Sequence, residues 1–247
     1  MKAYLKSWLK KEQQEDLHRF RVQVKKLLAF LILTDSAGEH RKLINRFKAV
    51  KNIFKQAGVI RNAYMNRELA EAQQIHDAAF MNNQFQLQVK ASQKFKSKKA
   101  GFFRKIKGSY QTLKRKIAPI SDLHIDLYYE TQLKQIAFIL AEPQFDERLH
   151  QCRKQAKNLI YNHKLIQRAP GSGFNTAYLE QVQTTIGDWH DHVLAIKLFS
   201  NNAANDRAAV TRLKRRETKL KQDIIALTED FYNRATTVVS IQVEQLS

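Results

Sequence analysis

The stretch LHRFRVQVKKL (residues 17–27) returns 132 positions later as LHQCRKQAKNL (residues 149–159). Six positions agree in register: Leu17/Leu149, His18/His150, Arg21/Arg153, Gln23/Gln155, Lys25/Lys157 and Leu27/Leu159. On a helix advancing about 100° per residue, His18, Arg21 and Lys25 fall within an arc of about 60°. Phe20, Val24, Leu27, Leu28 and Leu31 fill the adjoining arc, so the basic row borders an apolar face. The second copy behaves alike: His150, Arg153 and Lys157 share one arc, which Tyr161 extends. Cys152, Ala156, Leu159 and Ile160 lie beside it. An ordinary solvated face has no reason to repeat His, Arg and Lys at the same three offsets.

Apolar residues recur at three and four through most of the chain, and the spacing predicts helices over about residues 5–33, 41–75, 78–117, 122–140, 145–167, 175–199 and 206–242. Asp35 and Gly38 end the first. Ser121 with Asp122 reads as an N-cap, and Pro170-Gly171-Ser172-Gly173 as the clearest loop. Only seven glycines and three prolines punctuate 247 residues, too few turns for an all-β protein. The expected fold class is all-α.

The repeat continues past the first helix pair. QAGVIRNAY (residues 56–64) aligns with TIGDWHDHV (residues 185–193), pairing Gly58 with Gly187, Arg61 with His190 and Asn62 with Asp191. A glycine inside a helix costs about 1 kcal/mol relative to alanine, so the two glycines are expected to permit a close helix contact or a break.

The net charge of +20 is unevenly spread. Residues 1–118 hold 27 Lys and Arg against 8 Asp and Glu; residues 119–247 hold 16 against 15. No acid lies between Asp77 and Asp122, where Arg104, Lys107 and Lys114 belong to a dense basic run. Lys48, Lys51 and Lys55 form a further row, with Arg41 one heptad earlier; the positions 129 further on are Ala177, Glu180 and Thr184. Such a surface repels itself unless a polyanion neutralises it. Arg offers paired donors to phosphate oxygens, Lys a mobile point charge, and His a proton-dependent contact.

Cys152 is the sole cysteine, which excludes an intramolecular disulfide and thiolate metal clusters. No apolar run approaches the length of a membrane span and no cleavable leader is evident, so a soluble cytoplasmic protein is expected.

The pieces LHRFRVQVKKL, GVIRN, LHQCRKQAKNLIY and IGDWHDH, in this order, resemble the CHAD family, the conserved histidine α-helical domain, over nearly the whole chain. The resemblance implies one domain over residues 1–247, made of two similar four-helix bundles (about 1–118 and 119–247) related by pseudo-twofold symmetry, with a basic central surface or pore. It implies binding of inorganic polyphosphate without catalysis or cofactor, and association with polyphosphate granules. Position by position it carries that role to His18, Arg21, Lys25, Lys26, His150, Arg153, Lys157 and Tyr161, and Arg61 matches the family's Gly-x-x-Arg-Asp element. The chain departs at Asn62, where that element usually has Asp, and at Asn158 and Ile160, where basic residues commonly precede the Tyr. The Glu-x-Glu-x-Lys signature of a triphosphate-processing domain, fused to this domain in some relatives, does not occur. Spacing and charge extend the candidate site to Lys48, Lys51, Lys55, Arg104, Lys107 and Lys114.

Two other functions stay open at this point. RNA or DNA binding is served by the same charge, with Phe95, Phe102, Phe103 and Tyr110 as stacking platforms or, by their spacing, as core. A metal-dependent phosphohydrolase would need His76-Asp77 and His190-Asp191-His192, although adjacent helical residues diverge by about 100°.

Overall fold

The computed structural model describes residues 1–38, 42–75, 77–166, 173–200 and 207–237. Arg41, His76, residues 170–172 of the expected loop and both ends of the expected final helix lie outside them. Within these residues the protein is all-α: eleven helices and no strand. No helix among them is long and apolar enough to cross a membrane.

Two compact units are present. One contains Met1–Ile120 and Val193–Arg215, the other Ser121–His192 and Arg216–Ser247. The chain thus divides near residue 120, but a segment from its later part belongs with the first unit.

In the first unit the expected helix over 5–33 is two helices, α1 (Lys2–Lys11) and α2 (Gln14–Ser36). Glu12 takes a left-handed conformation (φ 55°), its N–H closing the last turn of α1 on the Trp8 carbonyl at 2.7 Å, while its carboxylate pairs with Lys96. The reversal folds Leu5 and Trp8 into the core, where the Trp8 ring meets Phe95 edge-on at 5.3 Å. Burial of an aromatic of this size, about 2–3 kcal/mol, outweighs the roughly 1–2 kcal/mol cost of one left-handed residue. Asp35 then accepts from the N–H groups of Leu43 (2.8 Å) and Ile44 (3.0 Å), starting the short α3 (Leu43–Arg46), and the buried Phe47 joins it to α4 (Lys48–Ala72).

The expected helix over 78–117 also divides, into α5 (Ala78–Lys96) and α6 (Lys99–Lys116). Asp77 caps α5 through the Phe80 N–H at 2.8 Å. Phe95 and Phe102, 1% and 2% exposed, meet at 4.6 Å with their rings tilted by 48°, inside one core with Phe20, Phe47, Val50, Ile53, Ile60 and Ile106. They are core and not base-stacking platforms; Phe103 packs against the same cluster and Tyr110 stands exposed. A second apolar cluster joins Ala70, Ile75 and Phe80 to Ala195, Phe199, Ala209 and Leu213.

In the second unit Ser121 caps α7 (Asp122–Ala141) as expected, accepting from the His124 N–H at 3.3 Å. α8 (Glu147–Ile166) follows, packed along α7, and the buried Tyr129 hydroxyl donates to the Leu159 carbonyl at 3.1 Å. α9 (Thr176–Ser200) starts at Asn175, whose side chain accepts from the Tyr178 N–H at 3.0 Å. The expected final helix is α10 (Arg207–Thr228) and α11 (Phe231–Thr236), separated by Asp230 at φ 51°. α9 and α10 each carry residues of both units.

Candidate functional site: two arginine clasps

Each unit folds one copy of the repeated stripe against one copy of the repeated glycine, and the same contact results. In the first unit α2 packs on α4 with Arg21 half-buried. Its Nη1 donates to the Phe54 carbonyl at 2.9 Å, and its guanidinium carbon lies 4.3 Å from the centre of the Phe54 ring. Phe54 is one turn before the buried Gly58. A Cβ added at Gly58 would land on Arg21 Nη1, with Cζ at 3.3 Å. The glycine is therefore a seat: with no side chain of its own, it lets the planar guanidinium lie against the helix backbone.

The second unit repeats this. Arg153 Nε on α8 donates to the Gln183 carbonyl at 3.3 Å, one turn before the buried Gly187 of α9. A Cβ at Gly187 would strike Nη2 and lie 2.6 Å from both Cζ and Nε. Both glycines serve close approach, as the sequence reading expected; neither breaks its helix.

Around each clasp the other cations gather. Burial chiefly, and then the charge of Arg61, hold the Arg21 guanidinium below its ordinary pKa. His18 is lowered by desolvation, by Arg61, and by Lys25 and Arg21, against a raising influence from Glu15. These opposing charges place His18, Arg21 and Lys25 of α2 and Arg61 of α4 in one field. Lys26 is exposed on α2; on α4 Lys48 and Lys55 are exposed and Lys51 half-buried. Arg104, Lys107 and Lys114 stand exposed along α6 and take no part in the clasp.

In the second unit His150 of α8 stacks on His190 of α9, ring centroids 3.8 Å apart and planes 19° from parallel. Burial, and then His190, push His150 down to about 4. Lys157 is lowered by burial and Arg153 and raised by Asp191, while burial raises Tyr161. The lysine row has no counterpart here: Glu180 stands where Lys51 does and holds Lys164 at 2.5 Å.

The proposed metal pairs behave differently. Asp191 Oδ1 is 3.7 Å from His190 Nδ1, too far for a hydrogen bond. His192 Nδ1 turns back along its own helix to the Asp188 carbonyl at 2.7 Å. Among the described residues no group of three or more His, Cys, Asp or Glu side chains converges as a metal site. Burial pushes the Cys152 thiol up to about 11, away from reactivity near neutrality.

Sequence reasoning found both stripes and both glycines but not the partnership between them. Their recurrence in the same order, Gly58 37 positions after Arg21 and Gly187 34 positions after Arg153, was the available signal. The pairing of Arg61 with His190 likewise foreshadowed the imidazole stack.

An all-α protein with basic stripes locked over paired glycines is thereby defined. The chain belongs to the CHAD domain family, whose model matches residues 1–200. Neither a curated protein nor a solved structure matches the chain at comparable significance.

Proposed function

We propose that this protein is a non-catalytic binder of inorganic polyphosphate, taking the anion along cations that the clasps hold in place. The observation that carries this reading is the Arg21–Gly58 contact, in which a single backbone bond fixes one edge of a guanidinium. Arginine has five N–H donors, so donors remain for phosphate oxygens. His18, Lys25 and Arg61 share the field of this guanidinium in the first unit, Lys26 adds an exposed charge on α2, and Lys48, Lys51 and Lys55 continue the positive row along α4. His150, Arg153, Lys157 and Tyr161 are the second unit's contribution. Family membership supports the same ligand.

The finer architecture belongs to this proposal too: two similar four-helix bundles about a pseudo-twofold axis, with a basic central surface or pore. So do a cytoplasmic location with association with polyphosphate granules, and the absence of any cofactor or catalytic step. Arg104, Lys107 and Lys114 serve as an outer basic margin that attracts the chain before it seats.

The test is a binding titration with polyphosphates of several lengths, pyrophosphate and RNA at fixed ionic strength. Affinity is expected to rise with polyphosphate length, with pyrophosphate weakest, and long chains to displace RNA at equal phosphate concentration. Displacement in the opposite order would make this a nucleic-acid protein. Salt sensitivity alone does not discriminate, because every polyanion releases counterions.

A further inference from the structure

The two clusters differ at one position whose chemistry matters. Where the first unit sets a permanent cation, Arg61, in the field of His18, the second sets a second imidazole, His190, flat against His150 at 3.8 Å. Both rings bury their Nδ1 atoms, and neither Nδ1 has a hydrogen-bond partner. Two neutral rings stack without penalty in this arrangement; two imidazolium rings repel face to face and need a neighbouring anion.

The surrounding groups do not supply enough negative charge. On α8, Arg153 and Lys154 oppose protonation of His150, and Glu147, which favours it, is engaged by Lys154 at 3.3 Å. Lys157 is the next cation along the same face. On α9, the Asp191 carboxylate lies 3.7 Å from His190 Nδ1, within ion-pair range but too far for a hydrogen bond, and it is largely exposed, so solvent screens it. From α7 the contact with this part of α8 is uncharged, Gln132 and Gln135 accepting from Gln155 at 3.4 and 3.2 Å. From α10, Lys221 lies over the Phe145 ring, which packs on Trp189, and is itself paired with Glu217 at 2.7 Å.

We propose that the stacked His150–His190 pair makes polyanion binding by the second unit proton-linked: the pair takes up protons as a phosphate chain seats against it, so this unit binds weakly near neutrality and strongly in mildly acidic medium. The first unit, with Arg61 in place of His190, binds at both. The inference rests on the polyphosphate reading above and adds its regulation. The sign follows from linkage. A seated anion stabilises the protonated rings, their affinity for protons is higher in the complex than in the free protein, and binding strengthens as pH falls. The lowered titration of His150 in the free protein is the other half of that difference.

The test uses the full chain with His18→Gln throughout, so that the first unit's imidazole does not contribute. Long-chain polyphosphate is titrated at pH 7.5 and 5.5 at constant ionic strength, in two buffers of different ionisation heat. The affinity ratio between the two pH values is expected to reach about tenfold for each proton taken up, with buffer-dependent heats reporting the uptake. Adding His150→Gln and His190→Gln should bring the ratio near one and abolish that buffer dependence. His190→Arg should raise affinity at pH 7.5 and flatten the pH response, an outcome that misfolding would not produce. Binding at pH 7.5 with a ratio unchanged by these substitutions overturns the inference and leaves the polyphosphate reading standing. Absence of binding at both pH values overturns both.

Discussion

The Arg21–Gly58 and Arg153–Gly187 clasps are built alike, yet their surroundings have parted. In both, a guanidinium lies on a glycine and bonds the carbonyl one turn earlier. In the first unit it then meets an aromatic face at Phe54, a permanent cation at Arg61 and the lysine row of α4. The second has Gln183, His190 and Glu180 at those places, and Glu180 is occupied with Lys164. What is common to the two is the part that fixes an arginine between helices. What differs is the charge around it, so the same backbone device sits among permanent cations in one unit and beside an imidazole pair and a carboxylate in the other.

The largest effect should come from erasing that difference in charge. Reversal of Lys51 and Lys55 to Glu removes two cations of the proposed phosphate row and adds two repulsive charges, and is expected to lower polyphosphate affinity about 100-fold at low salt, with a shallower salt dependence. Reversal of Arg212 and Lys214 on α10 is the control, expected to cost far less. Equal losses would mean diffuse attraction to a basic surface and no site. Glu180→Lys asks the converse: it frees Lys164 and gives the second unit its missing row, and affinity should rise.

The glycine seats come next. Gly58→Ala removes a helix-interior glycine, a gain of up to about 1 kcal/mol, but evicts the tip of Arg21 from its carbonyl and from Phe54, a loss of about 2 kcal/mol. The net is a destabilisation of about 1 kcal/mol, because the end of a flexible side chain can move away. At Gly187 the Nε and Cζ of Arg153 are also too close, so the shaft has to move as well, and a cost nearer 2–3 kcal/mol is expected. Paired thermal melts check this: equal shifts would show that the two arginines are not held at different depths.

Much of this was readable in the sequence and some was not. The 3.6-residue pattern placed the helices, and Asp77 and Ser121 marked two starts through their capping chemistry. The wheel set Arg21 at the border between the basic and apolar arcs, where it lies half-buried. The breaks at Glu12, between α5 and α6, and at Asp230 carry no glycine or proline. They follow from tertiary packing, such as that of Trp8 on Phe95, which local preference does not encode. The assignment of 193–215 to the first unit is equally a matter of long-range contact, through Phe199 on Phe80 and its neighbours. For the site, spacing along one helix revealed the stripes, but a guanidinium resting on a glycine 37 positions away needed the pairing of α2 with α4.

Protonation gives a smaller effect on stability itself. An imidazole free in the unfolded chain titrates near 6.5, whereas His150 is held at about 4 in the fold. Above pH 6.5 both states are neutral and nothing is gained or lost. Between pH 6.5 and 4 the unfolded chain takes up a proton that the folded one resists, so stability falls with pH through that window and levels off below it. His18, lowered in the same direction, adds to the slope. Melting temperatures from pH 7 to 5 should fall less steeply in His150→Gln than in the parent; identical slopes would mean that the stacked ring titrates freely.

The finest difference between the clasps is a single carboxylate. Asp191 attracts Lys157 in the second unit, while its counterpart in the first is the neutral, exposed Asn62. A carboxylate in that position has two opposed consequences: it steadies a neighbouring lysine in the free protein and competes with phosphate for it. With Lys157 half-buried but Asp191 exposed, the screened Coulomb energy at stake is about 0.5 kcal/mol, so the competition amounts to about a two- to threefold change in affinity. Asn62→Asp should therefore weaken polyphosphate binding by about that factor and Asp191→Asn should strengthen it, both effects shrinking as salt is raised. If both substitutions move affinity in the same direction, the lysine–carboxylate balance does not distinguish the two clusters, and the whole of their difference rests on the Lys51–Lys55 row and the imidazole pair.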